Sequence, residues 1–370
     1  MSQQRANTDD FLSIFLNDIP MMDVRAPVEY SKGSFSHTTN IPILDDQQRE
    51  VIGTCYKEQG SDAAVELGYQ LATDDIRNAR LQDWQSFVNN HPTGFLFCFR
   101  GGQRSHIAQA WLKEAGYPYP LIKGGYKAMR RYLIDELEQS INVCSLVILS
   151  GKTGTGKTRL IHQINGSVDL EGLANHRGSS FGRRQGGQPS QIDFENRLSV
   201  DLLKHRHFNG ERPALLEDES KLIGRCSLPQ ELRNKMQKAP LILLEESIEE
   251  RVEVGLKEYV TDNLTDFVSI YGEEEGFKQF KEGLSDSLYR IRRRLGSERY
   301  QQLSNILFSA LNTHQSTGSI EGYRELIAEL LTSYYDPMYN YQLQQKEGNV
   351  IFKGNRQAIL EAYPKLITNL

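Results

Sequence analysis

The sequence has no paired cysteines, no long hydrophobic run and no excess of positive charge. Its four cysteines lie far apart without a Cys-x-x-Cys pair, which argues against a disulfide framework and a cysteine zinc site. The strongest apolar stretch, residues 143–149, is far shorter than the roughly 20 residues that cross a bilayer. The 43 Lys and Arg residues are outnumbered by 48 Asp and Glu residues, so a uniformly basic nucleic-acid-binding coat is excluded, whereas a local basic patch is not.

The length and composition are those of an ordinary globular protein with about two domains. The chain has 370 residues, of which 38% are hydrophobic and 25% are charged. Residues 1–10 are polar and lack the cationic and then apolar pattern of a signal peptide. We therefore expect a cytoplasmic protein with reduced thiols and no membrane association.

The first domain, residues 11–138, alternates short apolar runs with helical stretches. Residues 20–25 and 94–99 have the pattern of strands, and helical spacing appears between them and again after the second. Strands interleaved with helices are typical of βαβ units, so we predict a parallel sheet covered by helices.

A second α/β domain is predicted for residues 143–260, followed by a helical C-terminal region at 261–370. Its strand candidates are the apolar runs 144–150, 213–216 and 240–244. The fold class is therefore α/β, with two parallel-sheet domains followed by helices.

Cys98 ends the second predicted strand and precedes a short loop that opens a helix. The backbone N–H groups of such a loop can point inward and form an anion-binding nest at the helix start. The helix dipole and nearby guanidinium groups favour the nucleophilic thiolate, and glycines permit a turn that a Cβ would obstruct. We predict a reactive thiol at Cys98, and a nest formed by Arg100, Gly101, Gly102, Gln103 and Arg104.

Three segments around this cysteine resemble the rhodanese family: residues 23–30, 33–42 and 121–126. The resemblance implies a rhodanese-like first domain in which Cys98 carries sulfur or selenium. The loop is one residue longer than in the simplest sulfurtransferases, which suits a phosphorylated donor. A cysteine phosphatase is the alternative, but Phe97 stands where such enzymes usually have histidine, and no general acid is evident.

Residues 151–158 match the phosphate-binding-loop pattern G-x-x-x-x-G-K-[ST] and lie between a predicted strand and a predicted helix. The pattern predicts a diphosphate pocket of the P-loop NTPase type, in which lysine neutralises outer phosphate oxygens and the hydroxyl holds Mg²⁺ if a metal is used. The predicted ligands are Gly151, Gly154, Gly156, Lys157 and Thr158.

An ATPase would need a further acidic residue at a strand end. Glu217 and Asp218 follow a short apolar run and are the candidates, with a solvated acidic turn as the alternative. The motif by itself indicates diphosphate binding and does not establish nucleotide hydrolysis.

Residues 172–188, the basic segment, contain three arginines, five glycines and no acidic residue. Within a net acidic protein this favours a mobile loop that contacts RNA phosphates, with rings available to stack on bases. The predicted RNA-binding residues are His176, Arg177, Phe181, Arg183 and Arg184. A second basic cluster is predicted on a helix and consists of Arg290, Arg292, Arg293, Arg294 and Arg299. The aromatic stretch 334–341 is compatible with either core packing or base stacking.

The order of these motifs, together with residues 171–179, resembles the bacterial tRNA 2-selenouridine synthase family over nearly the whole chain. The resemblance implies exchange of the sulfur of 2-thiouridine for selenium at wobble position 34, in the anticodon loop of the tRNAs for lysine, glutamate and glutamine. It implies geranyl transfer from geranyl diphosphate to the sulfur, and then selenation from selenophosphate through a Cys98 perselenide.

On this reading no cofactor is tightly bound, and both donors are co-substrates. The enzyme that supplies selenophosphate is a further candidate partner. The 151–158 loop would bind the geranyl donor's diphosphate, and Arg100 and Arg104 would hold the selenophosphate oxygens. The sequence does not identify the groove for the prenyl tail.

Two other functions remain open at this stage. One is a rhodanese-type sulfurtransferase fused to an ATPase that acts on a small molecule. The other is a non-enzymatic RNA-binding scaffold, which the intact Cys98 loop and the complete phosphate-loop motif disfavour.

Overall fold

Short apolar runs form strands in the first part of the chain, and the stretches between them form helices. The computed structural model describes residues 5–344 and 346–368. Up to residue 143 the elements are α1 (Phe11–Leu16), β1 (Met21–Asp23), α2 (Pro27–Tyr30), β2 (Thr38–Asn40), α3 (Asp46–Gln59), α4 (Ser61–Leu71), α5 (Asp74–Asn90), β3 (Phe95–Phe97), α6 (Gln103–Glu114) and α7 (Gly125–Val143).

Three parallel strands form the first sheet, in the order β2-β1-β3. Met22 on the central strand pairs with Thr39 and with Leu96, and Leu121 adds a parallel bridge beside Leu96. All three residues of β1 are buried, as expected for a central parallel strand covered on both faces. The predicted parallel α/β arrangement is confirmed here, while the assignment to the rhodanese family stays a prediction.

A second parallel sheet follows, with strand order β5-β4-β8-β9. From residue 146 onward the elements are β4 (Leu146–Gly151), α8 (Lys157–Ile161), α9 (Leu170–Leu173), α10 (Gln191–Asn209), β5 (Ala214–Glu217), β6 (Leu222–Ile223), β7 (Cys226–Ser227), α11 (Gln230–Met236), β8 (Leu241–Leu244), α12 (Ile248–Leu256), a π-helical turn (Lys257–Thr261), α13 (Asp262–Tyr271), α14 (Glu273–Leu295), α15 (Ser297–Thr317), α16 (Gly322–Leu330), a second π-helical turn (Leu331–Tyr335), α17 (Asp336–Gln344), a 3₁₀ turn (Glu347–Asn349), β9 (Val350–Gly354) and α18 (Arg356–Thr368).

The strand β9 corrects the expectation of a purely helical C-terminal region. It pairs in parallel with β8, although more than 100 residues separate the two in sequence. Strands β4, β5 and β8 are buried along their whole length, whereas β9 is partly exposed, as expected for an edge strand.

Helices α12, α14, α15 and α16 and both π-helical turns bury apolar residues in a shared core that includes Phe280, Leu288, Leu303 and Tyr323, and partly buried residues of α13 pack against it. Gly296, with a φ of +81°, separates α14 from α15, so the basic cluster is divided between two helices. Among the helices of the described ranges, none is both long and apolar enough to cross a membrane.

The chain divides into two compact units that differ from the predicted domains. The first unit runs to Ser140 and also contains Ser190–Lys204, and the second consists of Ile141–Pro189 and the chain from His205 onward. Most of α10 therefore belongs to the first unit, and the helices after residue 260 belong to the same unit as the phosphate loop.

Polar and apolar contacts attach α10 to the first unit. The Ser34 amide donates to Asp193 Oδ1 at 2.5 Å, and Ser199 Oγ donates to the Leu133 carbonyl at 2.6 Å. Val200 also joins the buried cluster of this unit. No sequence pattern distinguished this helix from those around the second sheet, so its membership was not predicted.

Candidate functional site

The Cys98 loop, residues 98–104, follows β3 and packs tightly against a second glycine turn. Gly101 has a φ of +65°, and a Cβ there would lie 2.7 Å from the Gly124 nitrogen. The Tyr126 amide donates to the Cys98 carbonyl at 2.9 Å. The predicted need for glycine is confirmed at Gly101, whereas a Cβ on Gly102 would meet nothing within 4 Å, so the prediction is wrong there.

Cys98 is buried, with 3% of its surface exposed. Its Sγ lies 4.0 Å from the Gly102 carbonyl oxygen, an acceptor for the thiol. It shares an apolar cluster with Val24, Leu96 and Ala108. This differs from the predicted sulfur ringed by amide donors, because a carbonyl of the loop faces the thiol. In this conformation the thiol is therefore shielded from solvent, and its role as a reactive group stays a prediction.

The two predicted phosphoryl ligands of this loop have different surroundings. Arg104 donates two hydrogen bonds to Glu29, from Nη1 to Oε2 at 2.5 Å and from Nη2 to Oε1 at 3.0 Å. Burial opposes ionisation of Glu29, but the hydrogen bonds and charge of Arg104 outweigh it and lower its pKa. Arg100 and Gln103 are exposed, and the Arg100 guanidinium lies 5.9 Å from the Phe99 ring centroid.

We expect Glu29→Gln to lower the free energy of unfolding at pH 7 by about 1–2 kcal/mol, because it removes a charge-assisted hydrogen-bonded pair. The pKa of Glu29 is lowered in the folded state, so its contribution is present above the unfolded-state pKa and is lost as the pH falls through the folded-state pKa. Denaturant unfolding should therefore show the difference between the variant and the original chain shrinking below about pH 5.

The matched control is Glu114→Gln, which removes an exposed pair with Arg77 in the same unit and should change stability little. A Glu29→Gln deficit that stays constant down to pH 3 would show that the Arg104–Glu29 pair is not its origin.

A buried ion pair that the sequence analysis did not assign stands beside the Cys98 loop. Arg25 Nε donates to Asp23 Oδ2 at 2.8 Å, and the Arg25 guanidinium lies 3.8 Å from the Tyr126 ring centroid. Burial raises the pKa of Asp23 although Arg25 opposes the shift. The pair thus connects the end of β1 to the turn that supports the loop. Its only sequence signal was its place in the rhodanese-like segment 23–30.

The phosphate loop adopts the predicted strand–loop–helix arrangement between β4 and α8. Gly154 and Gly156 have φ values of +82° and +76°, which favour glycine. Lys157 Nζ donates to the carbonyls of Gly151 at 2.8 Å and Lys152 at 3.5 Å, so its ammonium lies over the loop. The ammonium group is thus held beside the backbone turn on which the motif predicts a diphosphate.

Two carboxyl groups flank Thr158, the last residue of the motif: Glu217 is fully buried and Glu171 is partly buried. Its Oγ1 lies 3.2 Å from Glu171 Oε2 and 3.3 Å from Glu217 Oε1. Burial, and then the charge of Glu171, raises the pKa of Glu217 to about 8. Of the two predicted acidic candidates, Glu217 is therefore the one beside the loop. Asp218 instead accepts from Ser150 Oγ at 2.6 Å.

Glu171 was missed as a site residue, although it begins the 171–179 stretch that carried the family resemblance. Its backbone amide donates to Glu217 Oε2 at 3.0 Å, and burial raises its own pKa. The two glutamates come together only because α9 lies against β5, a contact that neither local sequence shows.

Thr158 and Glu217 fit a Mg²⁺ ion that arrives with a diphosphate. Within residues 5–344 and 346–368, no group of three or more His, Cys, Asp or Glu side chains is arranged to hold a metal ion. Mg²⁺ commonly binds through one or two carboxylates together with water and substrate phosphate oxygens. These residues would then hold the ion against the diphosphate, and the ion would neutralise phosphate charge.

The basic segment forms an ordered loop rather than a free one. Asn175 Nδ2 donates to the carbonyls of Gln185 at 2.9 Å and Gly187 at 2.8 Å. His176 is 8% exposed, and Phe181, at 9%, joins the core of the C-terminal helices. The two rings were expected to be available for stacking on bases, but both are buried in this conformation, and their part in RNA binding stays a prediction.

The arginines of this segment separate into two groups. Arg177 and Arg184 are partly buried beside Glu258. Burial raises the pKa of Glu258, although the positive charges of the two arginines oppose this shift. Arg183 is exposed and close to Arg290, whose pKa is lowered by burial and then by the charge of Arg183. Three arginines of α14 are exposed as well. We give the name basic surface to the set of Arg183, Arg290, Arg293 and Arg294.

The aromatic stretch 334–341 serves mainly as core and as support for the phosphate loop. Tyr334 is buried in the helical core. Asp336 accepts two hydrogen bonds from Arg251, at 2.9 and 2.6 Å, and Arg251 Nε donates to the Thr153 carbonyl at 3.0 Å. Tyr341 is exposed. Asp336 also accepts from Lys152 Nζ at 3.3 Å, so one side of the loop is held by residues 98 and 184 positions distant in sequence.

Comparisons with known proteins show the same similarity along the chain. A family model described as the tRNA 2-selenouridine synthase AAA domain matches residues 144–368. A tRNA 2-selenouridine synthase of Marinobacter nauticus is 53% identical, over 96% of this chain and 97% of that protein. Those of Pseudomonas syringae pv. syringae and Hahella chejuensis are 49% and 50% identical, over 96% of this chain and over 96% and 94% of the respective relatives.

Proposed function

The chain belongs to the tRNA 2-selenouridine synthase family, and on this premise we propose that it replaces sulfur by selenium in 2-thiouridine at wobble position 34 of the tRNAs for lysine, glutamate and glutamine. The family name implies an enzyme with a tRNA substrate. The proposed reaction has two steps, transfer of a geranyl group from geranyl diphosphate to the sulfur and then selenation from selenophosphate.

The observation that carries this proposal is the presence in one chain of a cysteine loop with two arginines and of a complete phosphate-loop motif. The Cys98 loop offers a thiol with Arg104 and Arg100, and the phosphate loop offers Lys157 and Thr158. A thiocarbonyl sulfur leaves poorly, but alkylation converts it into a thiol leaving group that selenium can displace. Two donors and two steps therefore give each loop a separate role.

In the first step the tRNA sulfur attacks C1 of the geranyl group. The S–C1 bond forms, the C1–O bond breaks, and pyrophosphate leaves with the bonding electron pair. Lys157 would stabilise the charge that develops on the departing pyrophosphate.

In the second step the Cys98 thiolate would attack the selenium of selenophosphate, so that the S–Se bond forms, the Se–P bond breaks and phosphite leaves with the bonding electron pair. The perselenide would then attack C2 of the uracil ring and displace geranyl thiolate, and a reducing thiol from solution would cleave the remaining S–Se bond, which leaves selenium on C2 and a mixed disulfide on Cys98. Arg100 and Arg104 would orient the phosphoryl group of the donor.

The test is conversion of tRNA by the purified full chain. We expect 2-thiouridine tRNA with geranyl diphosphate to give S-geranylated nucleoside, and subsequent selenophosphate to give 2-selenouridine, as measured by mass spectrometry of digested tRNA. Thiosulfate-dependent sulfur transfer with nucleotide turnover, and no change in the tRNA, would support the sulfurtransferase–ATPase alternative instead.

The basic surface should contribute to tRNA binding through phosphate contacts. We expect the double variant Arg293→Ala with Arg294→Ala to weaken tRNA binding and to reduce the slope of log K against log[salt] by about 1–2. Fluorescence anisotropy between 50 and 200 mM salt would measure both quantities.

Lys278→Ala with Lys281→Ala removes two positive charges from an earlier part of α14 and serves as the charge-matched control. Equal losses of affinity and slope in the two double variants would mean that net charge, rather than this surface, determines binding.

A further inference from the structure

A partly open apolar cavity lies beside the phosphate loop in the second unit. Its wall is almost wholly apolar and includes Val260, Leu284, Leu326 and Ile327, while Thr153 of the phosphate loop contributes at one side. We call it the tail cavity. It adjoins the place where a diphosphate would bind.

Irregular helices form part of this wall. Val260 lies in the first π-helical turn, and Leu331 and Tyr335 lie in the second. A π-turn costs helix regularity and occurs frequently at functional sites. Both π-turns of the described residues line the same cavity. The helical backbone is therefore widened at the positions where the tail cavity lies.

The connection to the phosphate loop is rigid. Arg251 Nε donates to the Thr153 carbonyl, and the Arg251 guanidinium is held by two bonds to Asp336. The buried Arg251 side chain thus fixes the one lining residue that belongs to the loop. A ligand with an anionic head at Lys157 and an apolar chain could contact both regions at once.

We propose that the tail cavity binds the hydrocarbon chain of an isoprenoid diphosphate whose head lies on the phosphate loop. This inference rests on the proposed function, because the geranyl donor is the diphosphate that needs such a site. Protein cores pack nearly as densely as organic crystals, so an apolar space left unfilled beside a head-group site suits an apolar chain. A nucleotide would place polar base and sugar groups against the same wall, which offers them few partners.

The test compares ligands that share a head but differ in chain length. Calorimetric titration of the full chain with inorganic pyrophosphate, dimethylallyl diphosphate and geranyl diphosphate should show affinity rising with length. Burial of one chain carbon raises the affinity up to about fourfold, as estimated from the free energy of transfer of a CH₂ group out of water. We therefore expect at least a tenfold preference for geranyl diphosphate over pyrophosphate. Equal affinities for the three ligands would overturn the inference.

Leu326→Trp fills the cavity and should reduce affinity for geranyl diphosphate about tenfold or more while leaving pyrophosphate affinity unchanged. The ratio of the two affinities is the readout, because a partly unfolded sample lowers both equally. Leu307→Trp, in the same helical core but outside the lining, is the matched control and should keep the original ratio. The enlarged variant Leu326→Ala should shift preference towards farnesyl diphosphate.

Failure of the inference and failure of the proposed function are distinguishable. One outcome is that Leu326→Trp loses chain-length selectivity while the original chain does not geranylate tRNA. This would support binding of the hydrocarbon chain in the tail cavity and reject the proposed reaction. Geranylation of tRNA with chain-length selectivity unchanged in both Leu326 variants would support the reaction and place the tail elsewhere.

Discussion

Replacing Cys98 by serine is expected to abolish formation of 2-selenouridine while S-geranylated tRNA accumulates. A serine hydroxyl is not ionised near neutral pH and cannot form the bond to selenium that the second step requires. Loss of a covalent nucleophile typically costs on the order of 10⁴-fold or more in rate. Mass spectrometry of digested tRNA after incubation with both donors would report the two nucleosides separately.

Cys55→Ser is the matched control, since Cys55 is a buried cysteine of the same unit in α3. It should leave both steps intact. Normal selenation by the Cys98→Ser variant would remove Cys98 from its proposed role. Because Cys98 is buried at rest, iodoacetamide should alkylate it slowly in the folded protein, and faster if selenophosphate opens the loop.

Lys157→Ala is expected to slow geranyl transfer by about 10²–10³-fold, the usual cost of removing a group that stabilises charge in the transition state. The lysine Nζ already lies over the loop carbonyls, and its removal leaves the negative charge of the departing pyrophosphate without that ammonium group. The initial rate of S-geranyl nucleoside formation measures this effect directly.

The same variant supplies its own control. When given tRNA that is already S-geranylated, Lys157→Ala should still form 2-selenouridine, because that step uses the Cys98 loop. A variant that geranylates normally but fails to selenate would mean that the two loops have been assigned to the wrong donors.

Local patterns predicted most strands and both loops but not their long-range partners. The runs that became β1, β3, β4, β5 and β8 were recognised because each is short, apolar and next to a turn. The strand β9 was missed because it is an edge strand of alternating exposure within a largely helical region. The helix α3 was also missed, because it is polar over most of its length and its few apolar residues give only a weak helical period.

Site residues were predictable where chemistry is local in sequence. Lys157 and Thr158 follow from one contiguous motif, whereas Glu171 reaches Thr158 only through the tertiary fold. Phe181 and His176 illustrate the opposite error, since a glycine-rich basic composition says nothing about which rings are buried. Arg251 gave no signal, because its partners Thr153 and Asp336 are distant in sequence.

The position of α10 has a consequence for the order in which the molecule matures on the ribosome. Ser199 and Val200 complete the first unit, yet they are translated after the whole phosphate loop. The amino-terminal part therefore emerges with an apolar face uncovered and cannot finish folding as an independent nascent domain. The core beneath Phe97 and Tyr126 becomes complete only after residues 151–158 have also left the exit tunnel, so synthesis does not yield a complete first unit by itself.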